Sequence, residues 1–190
     1  MATRSKPSGE PGFFSRCTGG SGTLAGSYTI GTVFNVYAIG SIIWGMNFYI
    51  PYNVGTILTI KCSLWDPDGI TRIGFDNVSI PANTPGFYQC EFTTKKTIAA
   101  ADMDLQNSYG FMTSGHYMVT IWEASGSHYI LSSQIAPSSV SVWGGGQCVT
   151  SKWGSSAWAA GDARPTNDSG VGYYVDPIVY GGLRSITPTA

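Results

Sequence analysis

Apolar and polar residues alternate along most of this chain, and few stretches repeat at the spacing of a helix. In residues 42–50, Ile42, Trp44, Met46, Phe48 and Ile50 fall on one side, and Ile43, Gly45, Asn47 and Tyr49 on the other. In residues 116–123, Tyr117, Val119 and Ile121 alternate against Met118, Thr120 and Trp122. A period of two is the signature of a strand with one buried face. The same pattern predicts strands over 33–37, 56–65, 70–78, 87–93, 128–132 and 171–180. Pro51 ends the strand over 42–50, because proline cannot donate to a ladder.

The breaks between strands carry turn chemistry. Asp66-Pro67-Asp68-Gly69 is a strong hairpin signal: glycine supplies positive φ and aspartate bonds its own backbone. Pro81, Asn83, Pro85 and Gly86 mark a loop, and Ala124-Ser125-Gly126-Ser127 a turn. Residues 97–106 hold the one segment suited to a helical turn. About eight strands at regular spacing predict an all-β fold, an antiparallel β-sandwich of jelly-roll type.

The flanks are different. Residues 1–27 are rich in Gly, Pro and Ser, with Phe13 and Phe14 as their large anchors, and predict an extended N-terminal arm that docks on a partner. The sandwich domain is expected over 28–180 and a C-terminal tail over 181–190. Within the domain, residues 136–170 read as a long Gly/Ser-rich excursion carrying Trp143, Trp153 and Trp158. Residues 33–50 have nearly the length of a membrane-spanning helix, but Asn35, Gly40, Ser41, Gly45 and Asn47 make two strands the better reading, with no membrane span.

Composition narrows the function classes. Charged residues are only 11% of the 190-residue chain, against about 25% in ordinary domains, and the formal net charge is −1. Ten basic residues scattered among eleven acidic ones exclude a nucleic-acid-binding surface, which needs basic side chains to displace counterions. So little charge leaves little repulsion between free monomers, and predicts a surface covered by neighbouring chains. Cys62 shares a face with Ile60 and Leu64, and Cys90 with Tyr88 and Phe92, so both read as small core hydrophobes. With Cys17 and Cys148 they form no zinc spacing and no dense disulfide framework. No apolar signal segment follows Arg4 and Lys6, so the chain is expected to be made and kept in a cytoplasm.

Candidate chemistry is sparse. Asp66 and Asp68 could ligate calcium, but turn chemistry explains them better, and the same holds for Asp102, Asp104 and Asn167-Asp168. His116 and His128 could form an acid–base or metal pair, yet neither sits in a motif. Glu91 and Glu123 read as outward-facing on different strands, not as a glycosidase pair. No nucleophile, base and orienting group recur together, so no catalytic residue, metal ligand or cofactor is expected and the chain reads as a non-enzyme. Trp143, Trp153 and Trp158 are the candidate sugar-binding side chains, since an aromatic ring offers an apolar face and a polar edge. Their structural alternative is to cap the sandwich or bury into a neighbour.

Several motifs occur in a familiar order: Ser41 to Tyr49 with its two aromatics at the end, Thr59 to Gly69 with Leu64-Trp65-Asp66, Gly86-Phe87-Tyr88 to Phe92, Gly126-Ser127-His128-Tyr129, and Tyr173-Tyr174-Val175-Asp176. Taken together over residues 31–180, they resemble a family of uncharacterised β-sandwich domains of bacterial surface proteins and phage virion proteins. The arm, Pro177 and the missing export signal depart from that pattern. The resemblance implies no catalytic residues. It implies a phage structural protein (a minor tail, decoration or fibre-like subunit) located in the virion, contacting other virion proteins or copies of itself, with host adhesion through a cell-surface glycan as the alternative.

Overall fold

The computed structural model describes residues 19–24, 28–36, 39–50, 55–102, 116–123, 128–133, 140–142, 146–155, 162–168, 172–173 and 175–180. Side chains are described for 29–36, 39–50, 55–102, 116–123, 162–166 and 175–180. Phe13, Phe14, Trp143, Trp158 and the tail 181–190 lie outside the described residues, and Trp153 is described by its backbone alone.

The chain is an all-β antiparallel sandwich. Its strands are β1 (Gly19–Leu24), β2 (Tyr28–Asn35), β3 (Ile42–Ile50), β4 (Leu58–Trp65), β5 (Arg72–Ile80), β6 (Gly86–Thr97), β7 (Tyr117–Glu123), β8 (His128–Ser133), β9 (Val140–Val142), β10 (Gly146–Ser155), β11 (Asn167–Asp168), β12 (Gly172–Tyr173) and β13 (Val175–Tyr180). The larger layer runs β11-β10-β2-β7-β4-β5, with β9 also on β10. The facing layer is β13-β3-β6, and β1-β8-β12 form a third small sheet. Residues 100–102, within the segment expected to hold a helical turn, are helical.

The core sits between the seven-stranded and the β13-β3-β6 sheets. Ile30 and Phe34 of β2, Ile60, Cys62 and Leu64 of β4, and Tyr117, Val119 and Ile121 of β7 meet Met46, Phe48, Cys90, Phe92, Val175 and Val179. The inward sets of β4, β6 and β7 are those that alternation predicts. Cys62 and Cys90 are free thiols buried here, as their neighbours in sequence suggest. The far side of the large sheet is also buried at Val33, Trp65 and Met118, where the Trp65 indole donates to Thr120 Oγ1 at 2.9 Å.

Strict alternation fails in β3. Between Ile43 and Gly45 the ladder to β13 slips by one residue, Ile178 pairing Gly45 and Val179 pairing Ile43, so Trp44 is the extra residue of a bulge. A bulge reverses the phase on one side of it. Ile43, not Ile42, therefore enters the core, while the Trp44 ring meets Tyr180 edge-on at 5.7 Å. Over the same stretch β6 leaves β3: Ile43 pairs Lys96 but Gly45 pairs Glu91. The released residues of β6 turn to β5, where Asp76 accepts from the Thr93 amide and hydroxyl, both at 2.8 Å. Gly74 makes that approach possible, since a Cβ there would lie 3.0 Å from the Thr94 carbonyl oxygen.

Three further expectations change. Within the arm expected over 1–27, Gly19–Leu24 is a strand that pairs with β8 over its whole length, so this part docks on the chain's own sheet. The excursion 136–170 contains β9, β10 and β11, and β10 is ten residues long and pairs with β2. The closing strand 171–180 is split: Gly172–Tyr173 joins β8 and Val175–Tyr180 joins β3. These segments raise the strand number from about eight expected to thirteen among the described residues. Pro177 is accommodated because β13 is an edge strand.

Candidate functional site

Ionisable side chains converge at the end of the sandwich where β4, β6 and β7 meet the turn 66–71. The turn itself is built as the sequence predicts. Gly69 has φ +80°, its amide donates to the Asp66 carbonyl at 3.1 Å, and the Asp66 amide donates to the Thr71 carbonyl at 2.8 Å. Asp68 Oδ1 accepts from the Ile70 and Thr71 amides at 2.9 and 2.7 Å, and Oδ2 from the Thr71 hydroxyl. Burial opposes the charge on Asp68, but these donors outweigh it and hold the carboxyl below its ordinary value. Asp68 is thus a turn residue with its oxygens engaged.

Arg164, in the segment after β10, reaches across this end. It is 5% exposed. Its amide donates to the Gly69 carbonyl at 3.0 Å. Its guanidinium donates to the His116 carbonyl and, at 3.5 Å, to that of Asp66. Burial lowers its pKa, and the charges of Asp68 and Asp66 partly restore it. His116 is itself buried and its Nδ1 contacts the side-chain oxygen of Asn35 on β2. His128 opens β8 opposite Leu24, and residues 117–127 separate it from His116 along the chain.

On the inner side lie Asp102, Lys96 and Tyr117. Asp102 closes the helical turn, with Oδ2 accepting from the Ala99 amide at 2.7 Å and Oδ1 paired to Lys96 Nζ at 2.7 Å. Burial would raise its pKa, but Lys96, the Ala99 amide and the Tyr117 hydroxyl lower it overall. Burial, with Asp102 and Asp66 nearby, pushes the Tyr117 hydroxyl far up, so it stays protonated. Asp66 is raised, first by burial, with Asp68 and Asp102 adding and Lys96 and Arg164 opposing.

This arrangement fastens three connections to one another: the β4–β5 turn, the segment entering β7 and the segment around Arg164. Its cations and most of its carboxylate oxygens are bonded to the fold. Among the described residues, no group of three or more His, Cys, Asp or Glu is placed to hold a metal ion. Arg164 carries no marker in the sequence, because it is drawn in by contacts with residues far along the chain.

Two other buried carboxyls stand apart. Glu123, expected to face outward, is 1% exposed on the core face of β7. It follows Ile121 at the strand period and sits opposite Ile60. Asp176 is buried on β13 opposite Asn47, and its Oδ2 has no hydrogen-bond partner among the described residues. Burial pushes it well above the ordinary carboxyl value. Glu91 is exposed and paired with Lys95 at 2.9 Å.

Of the expected sugar-binding tryptophans, Trp143 and Trp158 lie outside the described residues and Trp153 is described by its backbone alone. Trp153 pairs through its backbone with Ile30 and Asn167 in the middle of β10. Among the described residues, the exposed large apolar side chains are Ile39, Ile57, Ile70, Phe75 and Phe87. No model of a known protein family matches this chain, and no curated protein matches its sequence.

Proposed function

We propose that this chain is a non-enzymatic structural subunit of a phage virion that acts through protein–protein contacts. The observation that carries the reading is the placement of its exposed apolar side chains. Ile39 and Ile70 lie in connections at the end of the sandwich fastened by Arg164, while Ile57 and Phe87 lie where β4 and β6 begin, at the opposite end. A subunit seated between neighbours needs apolar surface at both ends. The low charge supports the same reading, since 11% charged residues give weak repulsion between packed copies. The ionisable cluster is also consistent with it, because its groups bond to the fold in a way that rigidifies a contact module.

The experiment is to label virions of the encoding phage with an antibody to this chain, and to measure the mass of the purified chain in solution across concentration. Labelled particles, or self-association weakened by Ile57→Lys and Ile70→Lys, are expected. Unlabelled particles together with a monomer at all concentrations refute the proposal.

A further inference from the structure

The outer face of β3 and β6 sets a pair of aromatic rings beside a pair of amides. Tyr49 pairs directly with Phe87, and Asn47 directly with Gln89. Directly opposed residues share a face. The intervening residues Phe48 and Tyr88 stack on one another at 5.9 Å on the core side, so the Tyr49–Phe87 and Asn47–Gln89 pairs point away from the core.

The two outer rings lie 4.6 Å apart, tilted by 54°. Phe87 is 63% exposed, Gln89 is exposed, and Tyr49 and Asn47 are half-buried. Adjacent strands lie about 4.8 Å apart and same-face residues along a strand about 7 Å apart, so the two pairs outline a patch the size of a sugar ring or two. Beyond them comes the Gly45–Glu91 pair, where glycine lets the two backbones approach closely, since a Cβ there would meet the Cys90 carbonyl oxygen. Glu91 is held by Lys95, which offsets its charge.

We propose that this face is a binding strip for a neutral oligosaccharide, a role beyond the assembly function above. The apolar C–H face of a pyranose packs on the Tyr49–Phe87 platform, as an aromatic ring accepts any flat apolar surface. The amides of Asn47 and Gln89 each offer both donors and an acceptor, which is what a row of hydroxyls needs. None of these four side chains carries a charge, which matches a neutral polyol and gives no hold on an anionic one. The groups stand on paired strands, so little conformational freedom is lost on binding.

The test is affinity electrophoresis of the full chain in native gels containing soluble neutral polysaccharides (hydroxyethylcellulose, xylan, glucomannan, galactomannan and dextran), with polygalacturonate as the charged comparison. Retardation is expected in at least one neutral gel. Phe87→Ala should weaken it at least about tenfold, Gln89→Ala should weaken it measurably, and Phe75→Ala, which removes an exposed ring on β5, should leave it unchanged. Phe87 and Gln89 are exposed, and unaltered thermal melts of these variants establish that the fold is kept. No retardation in any neutral gel, retardation in polygalacturonate alone, or full retardation of Phe87→Ala overturns the proposal.

Discussion

Replacing Ile43 by alanine is expected to destabilise this protein more than the same change at its neighbour Ile42. Unbroken alternation through β3 places Ile42 beside Met46 and Phe48 in the core, and Ile43 outside. The bulge at Trp44 reverses that assignment: Ile43 is 0% exposed within the core cluster, and Ile42 is half-buried beyond it. Ile→Ala deletes three carbons, and at about 0.8 kcal/mol per buried methylene the transfer loss at Ile43 is about 2.4 kcal/mol. The cavity left between the sheets adds about 1 kcal/mol more, for a total of about 3–4 kcal/mol. At Ile42 the loss should be about 1.5–2 kcal/mol, since the side chain is partly exposed and its truncation leaves no closed cavity. Urea unfolding followed by tryptophan fluorescence measures both. With a slope of about 2 kcal/mol per molar, Ile43→Ala lowers the midpoint by about 1.5–2 M and Ile42→Ala by about 0.75–1 M. Equal losses, or a larger loss at Ile42, would show that the phase runs unbroken through Trp44 and that the bulge is absent.

Other perturbations probe the buried polar groups. Arg164→Met keeps much of the side-chain volume but removes the donors to the His116 and Asp66 carbonyls; a loss of about 2–3 kcal/mol in urea unfolding is expected, and a neutral result would mean that the clasp contributes nothing. Asp176 has a folded pKa above its ordinary value of 3.8 because it is buried, so the stability linked to its neutral form is complete below that value and is lost as pH rises through the folded pKa. Asp176→Asn should therefore exceed the parent by about 1–3 kcal/mol at pH 8, with the gap closing toward pH 4 in melts across that range; a gap that widens on acidification contradicts the burial of this carboxyl. Burial, and then the adjacent Cys90 thiol, raises the Cys62 pKa, so peptide mapping after iodoacetamide at pH 8 should find Cys62 and Cys90 unmodified in the native protein and alkylated after urea; native labelling of either would place it at the surface.

The polar end and the outer strip of β3 and β6 make different demands on the fold. Arg164 gives its hydrogen bonds to carbonyls of two separate connections, so it ties together segments that would otherwise move independently. A rigid end suits a subunit held between neighbours. The strip depends instead on side chains that stand clear of the core, and substitutions there should alter ligand binding without altering stability.

The pattern of side chains by itself settled the fold class, the inward faces of β4, β6 and β7, the hairpin turn at 66–71 and the core position of Cys62 and Cys90. Each is a local property: a strand's period, a turn residue's conformational preference, or a thiol between apolar neighbours. Only the tertiary structure decided the rest. Gly19–Leu24 and the Gly/Ser-rich β10 become strands through backbone hydrogen bonds to β8 and β2, and such bonds are indifferent to side-chain pattern. The bulge at Trp44 arises from the registers of β13 and β6, two strands far away in sequence. Glu123 and Arg164 are charged residues that a local reading assigns to the surface, and their burial depends on what packs over them. Tyr49 and Phe87 stand 38 positions apart, and they form one platform because β3 and β6 pair in a single register. Alternation reports which way a side chain points from its own strand, whereas the partner strands determine what it meets there.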